Sequence, residues 1–176
     1  MIKGFKVRLF PNETQTQLLW KHINVSRFVW NYALAEQFSR YKNGEKHLNK
    51  YGMRDMFIVL KQTKEYSWLK EVSAHTIGNV CIDLDKAYTS FFKKISSKPK
   101  FKKKNKCKNS FPVRCETVYF ANDCVNIEKI GKIKYQSDRE LPQGRNVCKF
   151  TNPRIAFENN KWILSFGMEC ENQTRE

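Results

Sequence analysis

The hydrophobic period of this chain changes twice, and each change separates one kind of secondary structure from another. In residues 2–10, IKGFKVRLF, Phe5, Val7 and Leu9 point one way and Lys6 and Arg8 the other, the pattern of a strand with one buried and one cationic face. About 85 residues of helical spacing follow before the period returns to two. A lone strand leaves its backbone groups unpaired, so the first strand is expected to join the later ones, with the helices as an insertion. The expected fold class is α+β: a small antiparallel β-barrel with a mostly α-helical lobe inserted after its first strand.

The helical segment reads as four helices. Pro11-Asn12 followed by Gln15 marks a start, with Asn12 as N-cap and Gln15 closing a capping box; Leu18, Leu19 and Ile23 supply the buried side. A second helix over residues 25–42 is apolar around much of its circumference in FVWNYALA, which suits a central post, and Gly44 stops it. Met53, Met56, Phe57 and Leu60 are spaced as the core face of a third. The fourth is capped by Ser73 and carries Ile77, Val80, Cys81, Leu84, Ala87, Tyr88, Phe91 and Ile95 along about six turns. Beyond it ETVYF, CVNI, GKIKY, NVCKF, RIAFE and KWILSFGMEC read as short strands, the last two joined by a tight hairpin at residues 158–161.

Charge narrows the function. The 176 residues hold 33 Lys+Arg against 17 Asp+Glu, a net +16 that is self-repelling except beside a polyanion. Nine lysines fall between positions 93 and 108 with no acid among them: Lys93, Lys94, Lys98, Lys100, Lys102, Lys103, Lys104, Lys106 and Lys108. Nucleic acid is the expected partner. A membrane is not, since no stretch approaches the roughly 20 apolar residues of a span and no basic amphipathic helix or lipidation signal is present. A cytoplasmic, nucleoid-associated protein is expected, with its six cysteines (Cys81, Cys107, Cys115, Cys124, Cys148, Cys170) as reduced thiols. Their spacing matches no zinc knuckle, so neither metal nor cofactor is expected. His22, His47 and His75 lack a nucleophile motif, Asp83 and Asp85 read as helix-surface groups, and the seven glycines form no phosphate-cradling loop. No catalytic residue is expected.

Five collinear blocks sharpen this reading: FKVRLFPNETQTQLL, RFVWNYALAEQFSRYKNG, WLKEVSAHTIGNVCIDLDKAYTSFFKK, KPKFKKKNKCKNSF and IEKIGKIKY. Together they resemble the N-terminal half of TnpB (OrfB) proteins, the transposon-encoded RNA-guided DNA nucleases from which type V CRISPR effectors descend. The resemblance implies a wedge-like β-barrel from residues 1–10 and 107–171, a helical recognition (helix-turn-helix-like) domain at 11–96, and a Lys-rich linker at 97–106. It implies binding of a structured guide RNA and of double-stranded DNA, with the lysines on the phosphates. Positions matching Tyr51, His75, Gly78, Asn79, Ser110, Phe111 and Val113 would read the motif beside the target. The chain departs from the family where a glutamine commonly stands in place of Gly78 and Arg-Thr in place of Pro112-Val113. Glutamine can pair bidentately with adenine and glycine cannot, so the motif preference is altered or degraded.

The resemblance also implies that the sequence stops, at MECENQTRE, before the RuvC-like nuclease domain. No aspartate follows Asp138, so this chain is expected not to cut DNA by itself. Three readings stand side by side: a nucleic-acid-binding portion of a TnpB-like protein, an autonomous helix-turn-helix-type DNA-binding regulator, and a nuclease subunit completed in trans by a separate RuvC-containing polypeptide. Oligomeric state is left open.

Overall fold

A computed structural model describes residues 2–169, so Cys170 and the end of the expected barrel at 170–171 lie outside the described residues. The chain divides into two compact units, Met1–Trp20 with Lys108–Glu176, and Lys21–Cys107. The class is α+β, with three helices following the first of seven strands among the described residues.

In the first unit, β1 (Ile2–Phe10) lies inside an antiparallel sheet rather than at its edge. It pairs with β7 (Lys161–Glu169) from Ile2↔Glu169 to Leu9↔Trp162, and with β5 (Gly131–Gln136) through Arg8↔Gln136 to Phe10↔Lys134. Val7 and Leu9 face the core at 2% exposure while Lys6 and Arg8 are exposed, as the alternation requires. The remaining strands are β2 (Ser110–Pro112), β3 (Tyr119–Ala121), β4 (Cys124–Ile127) and β6 (Phe150–Glu158), and the order is β2-β6-β7-β1-β5-β4-β3. The sheet curls into a half-barrel. Phe120 of edge strand β3 meets Phe150 of β6 at 5.7 Å and Phe166 of β7 at 5.6 Å, closing the core by side-chain contact.

Two strand expectations change on inspection. NVCKF is not a strand: residues 146–148 form a turn with Asn146 at φ 58°, and only Phe150 enters β6, which carries RIAFE and shifts register between Thr151 and Arg154, with Asn152 at φ 47°. Strand β2 was not anticipated, because three residues ending in proline carry no period. The hairpin is as expected: Asn159 and Asn160 take φ 50° and 59°, the left-handed pair a two-residue turn needs, and Glu158 faces Lys161.

The first two expected helices are one. Helix α1 (Glu13–Lys42) runs for 30 residues, since no glycine or proline falls within it. Its start is the expected capping box, Gln15 N–H donating to Asn12 Oδ1 at 2.8 Å and Asn12 N–H to Gln15 Oε1 at 3.0 Å. Its end is the expected glycine cap, Gly44 at φ 71° with Glu45 N–H donating to the Arg40 carbonyl.

In the second unit the apolar middle of α1 (Val25, Val29, Trp30, Ala33, Leu34) forms one core with α2 (Lys50–Leu60) and α3 (Ala74–Phe92). Met53 and Phe57 of α2, and Ile77, Val80, Cys81, Leu84 and Tyr88 of α3, are buried there. A 3-10 turn, Ser67–Glu71, adds Leu69 to this core. Ser73 caps α3 by accepting from His75 N–H at 3.2 Å, and its own N–H donates to Nε2 of the buried His22. Helix α3 ends about a turn earlier than its stripe suggested. Lys94 takes the left-handed φ of 59° and Ile95, 74% exposed, donates its N–H back to the Ser90 carbonyl.

One buried polar atom stands out on α1: Ser26 Oγ has no hydrogen-bond partner among the described residues. Ser26→Ala removes that desolvation penalty and improves helix propensity, so it is expected to stabilise the protein by about 1 kcal/mol, seen as a higher urea midpoint at unchanged slope.

Candidate nucleic-acid interface

The lysine block is an ordered strap fixed along α1. Trp30 Nε1–H donates to the Lys100 carbonyl at 2.9 Å, and Asn31 clamps the next residue but one at both ends. Its Nδ2–H donates to the Lys102 carbonyl at 2.9 Å and its Oδ1 accepts from Lys102 N–H at 2.8 Å. Pro99 is buried, Phe101 meets Phe38 edge-on at 5.4 Å, and Lys106 N–H and Cys107 N–H both return to the Lys103 carbonyl. Residues 97–106, expected as a linker, thus have three backbone groups, the Lys100 and Lys102 carbonyls and the Lys102 N–H, held by side chains of one helix.

The cations fall into distinct groups. Lys98 Nζ lies 4.3 Å from the Phe38 ring centre and 5.9 Å from that of Tyr41, and Lys102 Nζ lies 4.1 Å from Trp30. These two ammonium groups are held over aromatic faces. Lys93, Lys94, Lys100, Lys103, Lys104 and Lys106 are exposed. Lys21, Arg40, Lys108 and Arg114 form ion pairs with carboxylates. Within the block, Lys108 pairs with Glu158 at 3.0 Å, which holds that carboxyl below its ordinary range. Among the described residues the exposed Lys93, Lys94, Lys100, Lys103, Lys104 and Lys106 form a row of charge with no carboxylate in ion-pair contact.

The other predicted residues are placed unevenly. Tyr51 is 58% exposed with Lys50 Nζ 5.1 Å from its ring centre, and His75 and Asn79 are half-buried at the start of α3. Gly78 is buried beneath Arg54, whose Nε would lie 3.4 Å from a Cβ added there. Arg54 itself is exposed, a cation beside the predicted reading positions that the sequence reading missed because it sits between the apolar positions of α2. Ser110 is half-buried in the other unit, on β2. Two expectations there are corrected: Phe111 at 1% and Val113 at 4% exposure are core groups of the half-barrel, so their side chains are closed to a ligand.

The half-barrel unit has a concavity of about 690 Å³ of mixed lining, with Val118, Val147 and Phe150 beside Tyr119, Asn126 and Arg145. Arg145 Nη2–H donates to the Tyr119 hydroxyl at 3.3 Å and lowers its pKa. A second, more enclosed cavity of about 240 Å³ lies in the helical unit, lined by Phe38, Tyr41, His47, Tyr88, Phe92 and Lys98 among others. Desolvation lowers the pKa of His47 there, against the opposing pull of Asp85, so its ring is neutral near pH 7. Burial pushes the Cys81 thiol up to about 12, which makes it a packing group. Among the described residues Cys81, Cys107, Cys115, Cys124 and Cys148 are free thiols, no set of three or more His, Cys, Asp or Glu is placed to hold a metal ion, and no helix is long and apolar enough to cross a membrane.

Residues 1–46 match the family model of a helix-turn-helix domain of the OrfB type. In this structure the matched stretch is β1 followed by the single helix α1, with no turn inside the helix. Over 173 residues the chain is 27% identical to the Escherichia coli (strain K12) protein named "Putative RNA-guided DNA endonuclease InsQ", covering 98% of this chain and 42% of that protein. It is 24% identical over 170 residues to a Streptomyces pristinaespiralis protein named "Putative RNA-guided DNA endonuclease", covering 96% and 41%. The chain therefore spans about two-fifths of the length of these curated relatives. The resemblance read from the five sequence blocks is borne out: the chain is similar to the OrfB-type helix-turn-helix family model over residues 1–46 and, over nearly all its length, to proteins named as RNA-guided DNA endonucleases.

Because one side-chain amide holds both backbone groups of Lys102, Asn31→Ala is expected to loosen the strap without unfolding the helical core. Tryptic cleavage between residues 100 and 106 should become about tenfold faster, matching the loss of a half-buried, doubly bonded amide worth about 1–3 kcal/mol, while the thermal midpoint of the protein moves little.

Proposed function

We propose that this chain binds nucleic acid through the lysine strap, as the part of a TnpB-like RNA-guided endonuclease that holds guide RNA and target-flanking DNA. The observation that carries the reading is the strap itself: exposed ammonium groups, unquenched by acids, on a backbone held at fixed positions by Trp30 and Asn31. A merely solvated loop gains nothing from such fixing. A row of pre-positioned cations loses less conformational entropy when phosphates arrive, and each phosphate neutralised releases counterions. Such contacts position a nucleic acid without reading its sequence.

In this reading the half-barrel plays the wedge and the helical unit the recognition part. Sequence discrimination in the strap's own unit rests with the polar side chains that remain open to solvent, Tyr51, Arg54, His75 and Asn79; Ser110 is a separate candidate contact on the half-barrel. Arginine over Gly78 favours bidentate contact to guanine where glutamine would favour adenine. The scission in the relatives' names is assigned to residues beyond this stretch, in the same polypeptide or in a separate RuvC-containing one; the stretch described here grips and does not cut. The setting is cytoplasmic and nucleoid-associated.

The test is a salt titration. Replacing Lys100, Lys103, Lys104 and Lys106 together with Gln should weaken binding of all oligonucleotides alike between about 50 and 200 mM salt, and flatten the log–log slope by about 0.9 per lost duplex contact, or about 0.7 on a single strand. Unchanged affinity and slope would overturn the proposal.

A further inference from the structure

The small cavity beside the strap has a composition that phosphate binding does not explain. Its walls are aromatic from four directions: Phe38 and Tyr41 from α1, Tyr88 and Phe92 from α3, with the His47 ring edge-on to Tyr88 at 4.6 Å and to Phe92 at 5.4 Å. These rings are not all committed to the core. Tyr41 is 85% and Phe92 61% exposed, so large apolar faces stand open to water at the cavity's edge. The cation on them is Lys98, over Phe38 and Tyr41, and Lys93, Lys94 and Lys100 follow on the same exposed segment.

An aromatic slot bordered by lysines fits a ligand that is flat, apolar on its faces and anionic at its edge. At about 240 Å³ it lies below the range of about 300–1,000 Å³ typical of drug-sized ligands, which leaves room for one flat ring system. Of the polar groups lining it, both ends of the Gln37 amide are spent on the Leu48 backbone. The Glu45 carboxylate, 3.6 Å from Arg40 Nη1, is an acceptor at the rim. An acceptor suits a base that carries an exocyclic amino group.

We propose that this cavity receives one unpaired nucleobase of the nucleic acid held by the strap, stacked against Tyr41 and Phe92, with Lys98 on the adjoining phosphate. The inference rests on the strap binding a phosphate backbone, and it adds a feature that charge alone does not supply: a preference for single-stranded over fully paired nucleic acid. Stacking is sequence-tolerant, because every base has a π-face.

The experiment uses an oligothymidylate strand carrying a single 2-aminopurine, whose fluorescence falls on stacking, and its oligouridylate counterpart with the same base. The protein is compared with the Tyr41→Ala/Phe92→Ala double variant and with Tyr41→Phe. Binding should quench the probe on DNA, RNA or both, and the strand that is quenched identifies the sugar the cavity admits. The double variant should abolish quenching and weaken single-strand binding about tenfold at an unchanged salt slope, as loss of one stacked base requires, with Tyr41→Phe close to the parent. Both replaced rings are largely exposed, and an unchanged thermal midpoint confirms the fold. Tight, salt-dependent binding without quenching, or with equal affinity in the double variant, overturns the base pocket and leaves the strap standing. No binding of any strand at low salt overturns both.

Discussion

The fold depends on the pairing of β1 with strands that follow it by more than a hundred residues. From Ile2↔Glu169 to Leu9↔Trp162 the first strand is zipped to β7, and its last residues also pair with β5. Without it, β2, β6 and β7 on one side and β5, β4 and β3 on the other would be two small sheets, each with an extra open edge. Closing so long a loop costs only slowly growing entropy, so the helical insertion is tolerated once the central ladder forms. The aromatic contacts of Phe5 and Phe120 with Phe166 then lie on the concave side and fill the curl.

The helical unit solves a different problem, that of keeping a highly charged segment ordered. Lysines at neighbouring positions repel, and a chain bearing them extends into solvent unless its backbone finds partners. Here the partners are side chains: an indole and a carboxamide on consecutive residues of α1, with the rings of Trp30 and Phe38 also lying under two of the ammonium groups. An aromatic face attracts a cation without neutralising it. The strap therefore keeps its positive charge while losing mobility, the combination that suits an electrostatic contact with a polyanion.

The same economy appears on α2 and α3. A Cβ at position 78 would stand 3.4 Å from Arg54 Nε and 3.7 Å from its Cδ, so a longer side chain there would pack against the Arg54 side chain. A change in one residue of α3 is thus coupled to the placement of a cation on α2, and the chemistry offered by that face belongs to the pair.

Much of this was legible in the chain. The capping box at Asn12 and Gln15, the stop at Gly44, the Ser73 cap, the Asn159-Asn160 hairpin and the alternation of β1 and β7 each follow from local φ/ψ preference or period, which neighbours in sequence decide. The lysine block was legible as charge. What neighbours in sequence could not decide was continuity and burial. Whether Ile23 and Val25 belonged to one helix or two, whether NVCKF was a strand or a turn leading into one, and whether Phe111 faced a ligand or a core all depended on partners far along the chain. So did the strap, since Asn31 and Lys102 are separated by 71 residues and no local pattern announces their hydrogen bonds. Sequence alone determined the α+β class, the insertion and the sign of the surface; tertiary structure decided which of those charges are held in place and which rings stand open beside them, because burial and long-range hydrogen bonds exist only once the elements have packed.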